Sequence, residues 1–380
     1  MTPRLLELVV CPDCGSALRL RADSRDGERT LEGLLSCPCG AGYPVVGGIP
    51  RIFRGADLEF GIADGGRARA DANEPRGSTA DAAERAKQRT RRSFGYQWTT
   101  FREMHPEFER NFLNYVHPIG PEFFPGKLGL DAGCGFGRHI YYAARYGAEM
   151  VGVDYSAAIE SARANTLHLP NVHLVQADIY RLPFRPETFD FAYCLGVLHH
   201  LPDPLAGYRA LARVVRAEGW LLVWLYSKTR RRLNAALERA RAVTTRLPLR
   251  LLNGLCFAAA AVDWGFFIYP YRLASRHARL REAVDRVTFP RVKVYAQYPF
   301  QVCYADWFDR LSAPIRHYYD EADLRGWASE VGLEEARITP TSAYGWRLQG
   351  RVPGRAGDVT SDPIAGARPE PAVDSGVPRA

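Results

Sequence analysis

Between about Arg91 and Tyr226, short apolar runs alternate with amphipathic stretches. The runs end at "KLGLD", "AEMVGVD", "VHLVQAD", "FDFAYCLG" and "GWLLVWLYS", and between them lie "RHIYYAARYGA", "AAIESARAN" and "PLAGYRALARVVRAEG". Continuously apolar strands separated by helices predict a parallel sheet buried on both faces. With right-handed crossovers the sheet is doubly wound, and its ligand lies beyond the carboxyl ends of the strands. A further helix and two strands close the pattern near Val352. The fold class expected is α/β, a Rossmann-like sheet.

The flanking segments break this rhythm. Residues 1–54 carry four of the eight cysteines and read as a separate small module. Residues 55–90 lack a sustained apolar period and are expected to be a flexible linker. Residues 91–352 form the main domain, interrupted at 227–298 by a basic and apolar helical insertion. The Pro/Gly/Ala-rich tail, 353–380, is expected to be disordered.

The first strand of the alternation ends in Asp131-Ala-Gly133-Cys-Gly135-Phe-Gly137. Glycines there let the backbone turn sharply and approach a ligand, beside the N–H groups of a helix start. A nicotinamide-binding turn reads G-x-G-x-x-G, because a pyrophosphate sits on the helix end. Here the spacing is G-x-G-x-G, and an acid precedes the first glycine by two. That acid would repel a diphosphate but suits a ligand carrying an ammonium and a sulfonium. Asp154 ends the second strand, where a carboxylate can accept from ribose hydroxyls. Asp178 ends the third, where it can accept from an adenine amino group. Adenine, ribose and a cationic amino-acid tail together make S-adenosylmethionine.

Over residues 125–226 the sequence resembles the class I S-adenosylmethionine-dependent methyltransferases, in the branch called type 11. "LDAGCGFGRH", "VGVDYS", "QADIYRLPFRPETFDFAYCLGVLHHLPDP" and "RVVRAEGWLLV" fall in that family's order. The resemblance implies a seven-stranded sheet. It places Gly133, Gly135 and Gly137 in the cofactor turn, with Asp131 reaching the methionine portion directly or through water. It gives Asp154 the ribose, Asp178 and the backbone of Ile179 the adenine, and Leu195 and Gly196 the region near the transferable methyl. His199 and His200 are the candidate catalytic residues. Tyr318 and Tyr319 are candidates to shape the acceptor pocket. His139 is expected to be structural.

The N-terminal stretch "LLELVVCPDCGSALRL … LLSCPCGAGYPVVGGIPRIF" resembles the zinc-ribbon family that activates tRNA and release-factor methyltransferases. Cys11, Cys14, Cys37 and Cys39 supply four thiolates for a structural zinc. The second pair departs from that family's C-x-x-C-G, because Ser36 stands where its first cysteine would be.

Charge changes the picture at one place. Of the formal net charge of +8, residues 227–293 hold fifteen Lys or Arg against four acids, a net of +11, leaving the rest at −3. Three readings of this insertion stay open: a helical cap over the acceptor site, an interfacial helix making peripheral contact with an anionic membrane, and an RNA-contacting patch. RNA is disfavoured, because the aromatics sit in the apolar run and not among the arginines. A hydrophobic share of 47% and a charged share of 24% are those of an ordinary soluble enzyme. The scattered cysteines and the lack of a signal-like leader predict a reduced, cytoplasmic setting. The function expected is methyl transfer to a small or lipid-like metabolite. The alternatives are a tRNA or protein methyltransferase with its activator fused in cis, and an inactive accessory subunit.

Overall fold

The computed structural model describes residues 1–61, 79–341 and 344–354. The expected tail, save its first two residues, and the middle of the expected linker lie outside them.

The N-terminal module contains α1 (Pro3–Leu8), the antiparallel strands β1 (Arg19–Asp26), β2 (Arg29–Ser36), β3 (Gly42–Val46) and β4 (Ile49–Ile52), and α2 (Ala56–Glu59). After α3 (Thr79–Thr100) and α4 (Glu107–Val116), the alternating region supplies β5 (Leu128–Ala132), α5 (Arg138–Arg145), β6 (Glu149–Asp154), α6 (Ala158–Thr166), β7 (Val172–Ala177), β8 (Phe189–Leu195), α7 (Pro204–Val214) and β9 (Val215–Tyr226). The insertion is α8 (Arg231–Thr244), α9 (Leu249–Asp263), α10 (Tyr269–Ala274), α11 (Ala278–Val287) and α12 (Pro290–Tyr295). Then come α13 (Phe300–Ser312), α14 (Glu321–Glu330), β10 (Glu334–Thr341) and β11 (Gly345–Arg351).

Seven strands form the Rossmann-like sheet in the order β7-β6-β5-β8-β9-β11-β10, parallel except where β11 pairs with its two neighbours. The order reverses between β5 and β8, so a crevice opens where the β5 turn and the loop after β8 diverge. Val151, Val153, Val175, Leu221 and Val223 are fully buried, as apolar runs covered on both faces require. The insertion carries small cores of its own, around Leu252, Cys256 and Phe308, and around Ile268, Val292 and Cys303.

Two features depart from the sequence reading. First, the N-terminal module is not a separate body. Strand β4 pairs in parallel with β7, Arg51 opposite Gln176 and Ile52 opposite Ala177, so eleven strands run as one sheet. Arg51 is 1% exposed, donates to Gln176 Oε1 at 2.9 Å and to the Val46 carbonyl at 3.0 Å, and pairs with Glu160 on α6. Second, part of the expected linker is helix. Residues 79–90 begin α3, where Ala, Glu, Arg, Lys and Gln are strong helix formers. The inner stripe of α3 is Thr90, Ser93 and Gln97, polar side chains buried at helical spacing, so no apolar period announced it.

Arg51→Ala removes the charge that joins module to sheet and leaves Gln176 buried without its partner. The urea unfolding free energy is expected to fall by about 2–3 kcal/mol. A change below about 0.5 kcal/mol would mean that the two parts merely abut.

Candidate active site

The glycine turn hangs from the end of β6. The N–H groups of Gly133 and Cys134 donate to the Val153 carbonyl at 2.7 and 3.0 Å. The Gly135 N–H donates to Asp154 Oδ2 at 2.9 Å, while Asp154 Oδ1 accepts from Ser156 N at 2.8 Å and Ser156 Oγ at 2.6 Å. A carboxylate has about four acceptor positions, so these bonds leave Asp154 one free, on Oδ2. Burial, the largest influence, raises its pKa against the pull of those hydrogen bonds. Gly133 has φ +81°, and a Cβ there would meet Val197 Cγ2 at 2.5 Å. At Gly137, with φ +90°, a Cβ would instead meet the Ala162 Cα of α6 at 3.1 Å. Gly137 does not border the cavity described next, so it is a packing glycine and not the cofactor contact expected.

A cavity of about 850 Å³ begins at this turn, within the usual range for small-molecule sites. Gly133, Gly135, Asp154, Asp178, Ile179, Leu195, Gly196 and His200 all border it. Asp178 caps the short turn Ile179–Arg181 by accepting from Tyr180 N at 3.1 Å. Its other oxygen pairs with Lys87, which lies between the rings of Tyr155 and Tyr180. Lys87, Arg91, Gln97 and Trp98 on α3 also line the cavity, and the sequence reading missed all four. Arg91 fixes the helix over the site by donating to the Tyr155 carbonyl at 2.8 Å and to Glu59 at 2.8 Å.

Asp131 is not part of the wall. It is 1% exposed at the end of β5, and its Oδ2 has no hydrogen-bond partner among the described residues. Burial, reinforced by the Asp154 carboxylate and opposed by the neighbouring Tyr193 hydroxyl, pushes its pKa up to about 8. The amide of Gln97, fully buried and bordering the cavity, is likewise unpartnered among the described residues. The unpartnered Gln97 amide on the wall of a roomy cavity, together with the Asp154 and Asp178 carboxylates, fits a polar cofactor, because unpaired buried groups are costly unless a ligand meets them.

Beyond the turn the cavity widens between α4, α8, α12 and α13. Tyr115, Trp224, Tyr226, Leu233, Leu237 and Tyr298 supply aromatic and apolar surface. Tyr226 donates to Asp309 Oδ2 at 3.1 Å, and Arg316 donates to the same atom at 2.8 Å.

The two candidate histidines differ. His199 is 0% exposed, stacks on Tyr226 with ring centres 3.8 Å apart and does not border the cavity. Neither of its nitrogens has a partner among the described residues, and burial holds its pKa well below the usual value. It has no route to a substrate proton, so the expected catalytic role fails on access. His200 borders the cavity and donates from Nδ1 to the Ile315 carbonyl at 2.7 Å, which leaves the lone pair on Nε2. Burial, with Arg316 adding to it, lowers its pKa to about 3. Tyr318 borders the cavity and accepts from Arg241; Tyr319 does not border it and packs on Trp327. His139 is buried between Phe112 and Tyr115.

In the N-terminal module the sulfurs of Cys11, Cys14, Cys37 and Cys39 lie within 4.8 Å of one another. Cys11 to Cys39 is 3.7 Å, Cys14 to Cys37 3.3 Å and Cys37 to Cys39 3.2 Å. Tetrahedral zinc with arms of about 2.3 Å would set sulfurs roughly 3.8 Å apart, so four thiols in this arrangement can hold structural zinc. Ser36 ends β2 exposed, outside the cluster. Cys37 reaches the cluster at the head of a tight loop closed by Gly40 N to Cys37 O at 3.0 Å.

The raised pKa of Asp131 sets a pH dependence. Between about pH 4 and pH 8 the folded, ligand-free chain keeps on Asp131 a proton that the unfolded chain has released, so the contribution of this group to stability is full below pH 4 and is lost as pH rises to 8. Asp131→Asn is expected to flatten this slope in urea titrations between pH 5 and pH 9. An unchanged slope would show that Asp131 is ionised in the empty site.

Comparison with known proteins agrees with this geometry. A family model described as "Methyltransferase domain" matches residues 130–223. The ubiquinone biosynthesis O-methyltransferase of Thiobacillus denitrificans is 31% identical over 233 residues, covering 57% of this chain and 92% of that protein. The protein of the same name from Albidiferax ferrireducens is 30% identical over 188 residues, covering 46% and 71%. A SAM-dependent methyltransferase structure from Aquifex aeolicus overlaps 66% of this chain and 100% of its own, at 14% identity and a TM-score of 0.36, too slight a likeness to carry an argument. On the strength of an identity that spans nearly the whole of a named relative, the chain belongs to the S-adenosylmethionine-dependent methyltransferases.

Proposed function

We propose that this methyltransferase modifies an oxygen of a small or lipid-like metabolite held in the aromatic chamber beyond the glycine turn. The observation that carries the reading is the chamber itself: a concave space bordered by Tyr115, Trp224, Tyr226 and Tyr298, continuous with the turn. The named relatives support transfer to oxygen and a small acceptor.

In this reading the bound cofactor supplies a methyl group on a cationic sulfur. Asp154 keeps the turn closed and offers its remaining acceptor position to a ribose hydroxyl. Asp178 accepts from the adenine amino group once Lys87 yields that oxygen, and the Ile179 backbone borders the ring. Gly133 and Gly135 admit the methionine portion, whose positive charge would favour the ionised form of Asp131 through space, the carboxyl proton passing to solvent. Leu195 and Gly196 border the methyl. Transfer is an in-line displacement, so the chamber contributes mainly by positioning the acceptor and excluding water. His200 accepts from the acceptor hydroxyl through Nε2 and orients it. With a pKa of about 3, its basicity at neutral pH is too low to carry full proton abstraction, so as the O–C bond forms and the S–C bond breaks the hydroxyl proton passes to solvent at the open side of the cavity.

The test is methyl transfer from labelled S-adenosylmethionine by the full chain, offered hydroxylated aromatic metabolites or bulk tRNA at low and high salt. Label is expected in an aromatic acceptor at a rate that salt barely changes. His200→Ala should lower kcat by less than about tenfold, where a true general base contributes about 100-fold or more. Label in tRNA, with affinity collapsing as salt rises, would overturn the reading in favour of an RNA enzyme carrying its own activator module.

A further inference from the structure

The insertion contains a helical run of 26 residues, Leu249–Ala274, within which an 18-residue stretch reaches a mean hydropathy of 1.6. It passes through Pro270, where the sequence reading ended the apolar stretch, by way of a π-helical turn at Trp264–Ile268 that absorbs the backbone bond proline cannot make. One face is fixed to the protein. Leu252, Cys256, Ala260 and Ile268 are buried, and Cys256 approaches the Trp307 carbonyl of α13. Asp263, the one acid of the run, accepts from Trp307 Nε1 at 2.9 Å and pairs with Arg291. A helix held along this face cannot also be surrounded by lipid.

The opposite face is exposed and wholly apolar. Leu251, Leu255, Val262, Phe266, Tyr269 and Leu273 follow one another at helical spacing, with Phe257 and Phe267 beside them; Phe266 is 75% exposed and Phe267 54%. No charged side chain is exposed from residue 251 to residue 271. A solvated helix face normally carries charge, and an apolar stripe of this length marks a contact surface. Exposed arginines stand at both ends of it, Arg246 and Arg250 before and Arg276 and Arg279 after. They lie within the segment whose net charge is +11.

We propose that this stripe docks on the surface of an anionic bilayer, the helix lying in the plane of the interface with its aromatic side chains among the acyl chains and the flanking arginines on the headgroups. An aromatic-rich apolar face bordered by cations is what such a surface recognises. The same lobe supplies α8, α12 and α13 to the wall of the aromatic chamber, so docking would bring the acceptor site to the membrane boundary. The surface does not depend on which acceptor is methylated, and its test uses no acceptor.

The test is flotation of the full chain with vesicles of phosphatidylcholine alone or with roughly 30 mol % phosphatidylglycerol. The chain is expected to float with the anionic vesicles, less as salt is raised, and hardly at all with neutral ones. Phe266→Asn combined with Phe267→Asn should weaken this by about tenfold or more while leaving the affinity for S-adenosylhomocysteine unchanged, which shows the variant folded. Arg246→Gln with Arg250→Gln should weaken anionic binding without removing the apolar stripe. The proposal is overturned if the chain ignores anionic vesicles or if the phenylalanine variant floats as well as the parent. It is also overturned if, without lipid, the chain forms an oligomer that this variant dissolves, because the stripe then meets a second copy.

Discussion

The site depends on how Asp154 is bound. Its carboxylate gathers the Gly135 N–H from one side and the Ser156 backbone and hydroxyl from the other, tying the turn after β5 to the end of β6. Without that tie, the alternating glycines of the turn would be anchored only by the bonds from Gly133 and Cys134 to the Val153 carbonyl. With it, the backbone is held in the positive-φ geometry that lets Val197 close over Gly133. The group expected to grip the ribose therefore spends most of its acceptor capacity on its own protein. Ligand binding and turn geometry share one residue.

The second constraint is the pairing of β4 with β7. A module of about fifty residues has too little core to fold well alone, and here it borrows one. Val45 and Ile52 join the same buried cluster as Val175, Ala177 and Phe184. The Asp13–Arg181 pair and the bond from Tyr43 to Asp13 link the cysteine cluster to the turn that follows Asp178. Four thiols able to hold a structural zinc thus sit against the flank of the fold that carries Asp178.

Much of this was legible in the sequence because it is written in local pattern. Apolar runs ending in Asp131, Asp154 and Asp178 gave the parallel strands and the acids at their ends together, and the paired cysteines stood out by type. What escaped was written in tertiary context. The first half of α3, up to Thr90, reads as linker because the buried side of the helix is polar, with Thr90, Ser93 and Gln97 where leucines would have revealed it. Lys87 and Arg91 were hidden for the same reason. The adjacent His199 and His200 looked equivalent, but a short helical turn sends one into the core against Tyr226 and leaves the other at the wall. Asp263, which in sequence only interrupts an apolar run, proves to be the group that fixes the helix to α13.

The central claim is that the Asp154 carboxylate sets both the turn and the cofactor contact. Calorimetric titration of S-adenosylhomocysteine into the full chain and into Asp154→Asn tests it most directly. The amide can keep the Ser156 contact but turns an N–H₂ toward the Gly135 N–H, so affinity should fall about 10- to 150-fold, the equivalent of roughly 1.5–3 kcal/mol, in a chain that remains folded by circular dichroism. Equal affinity in the two proteins would contradict the account.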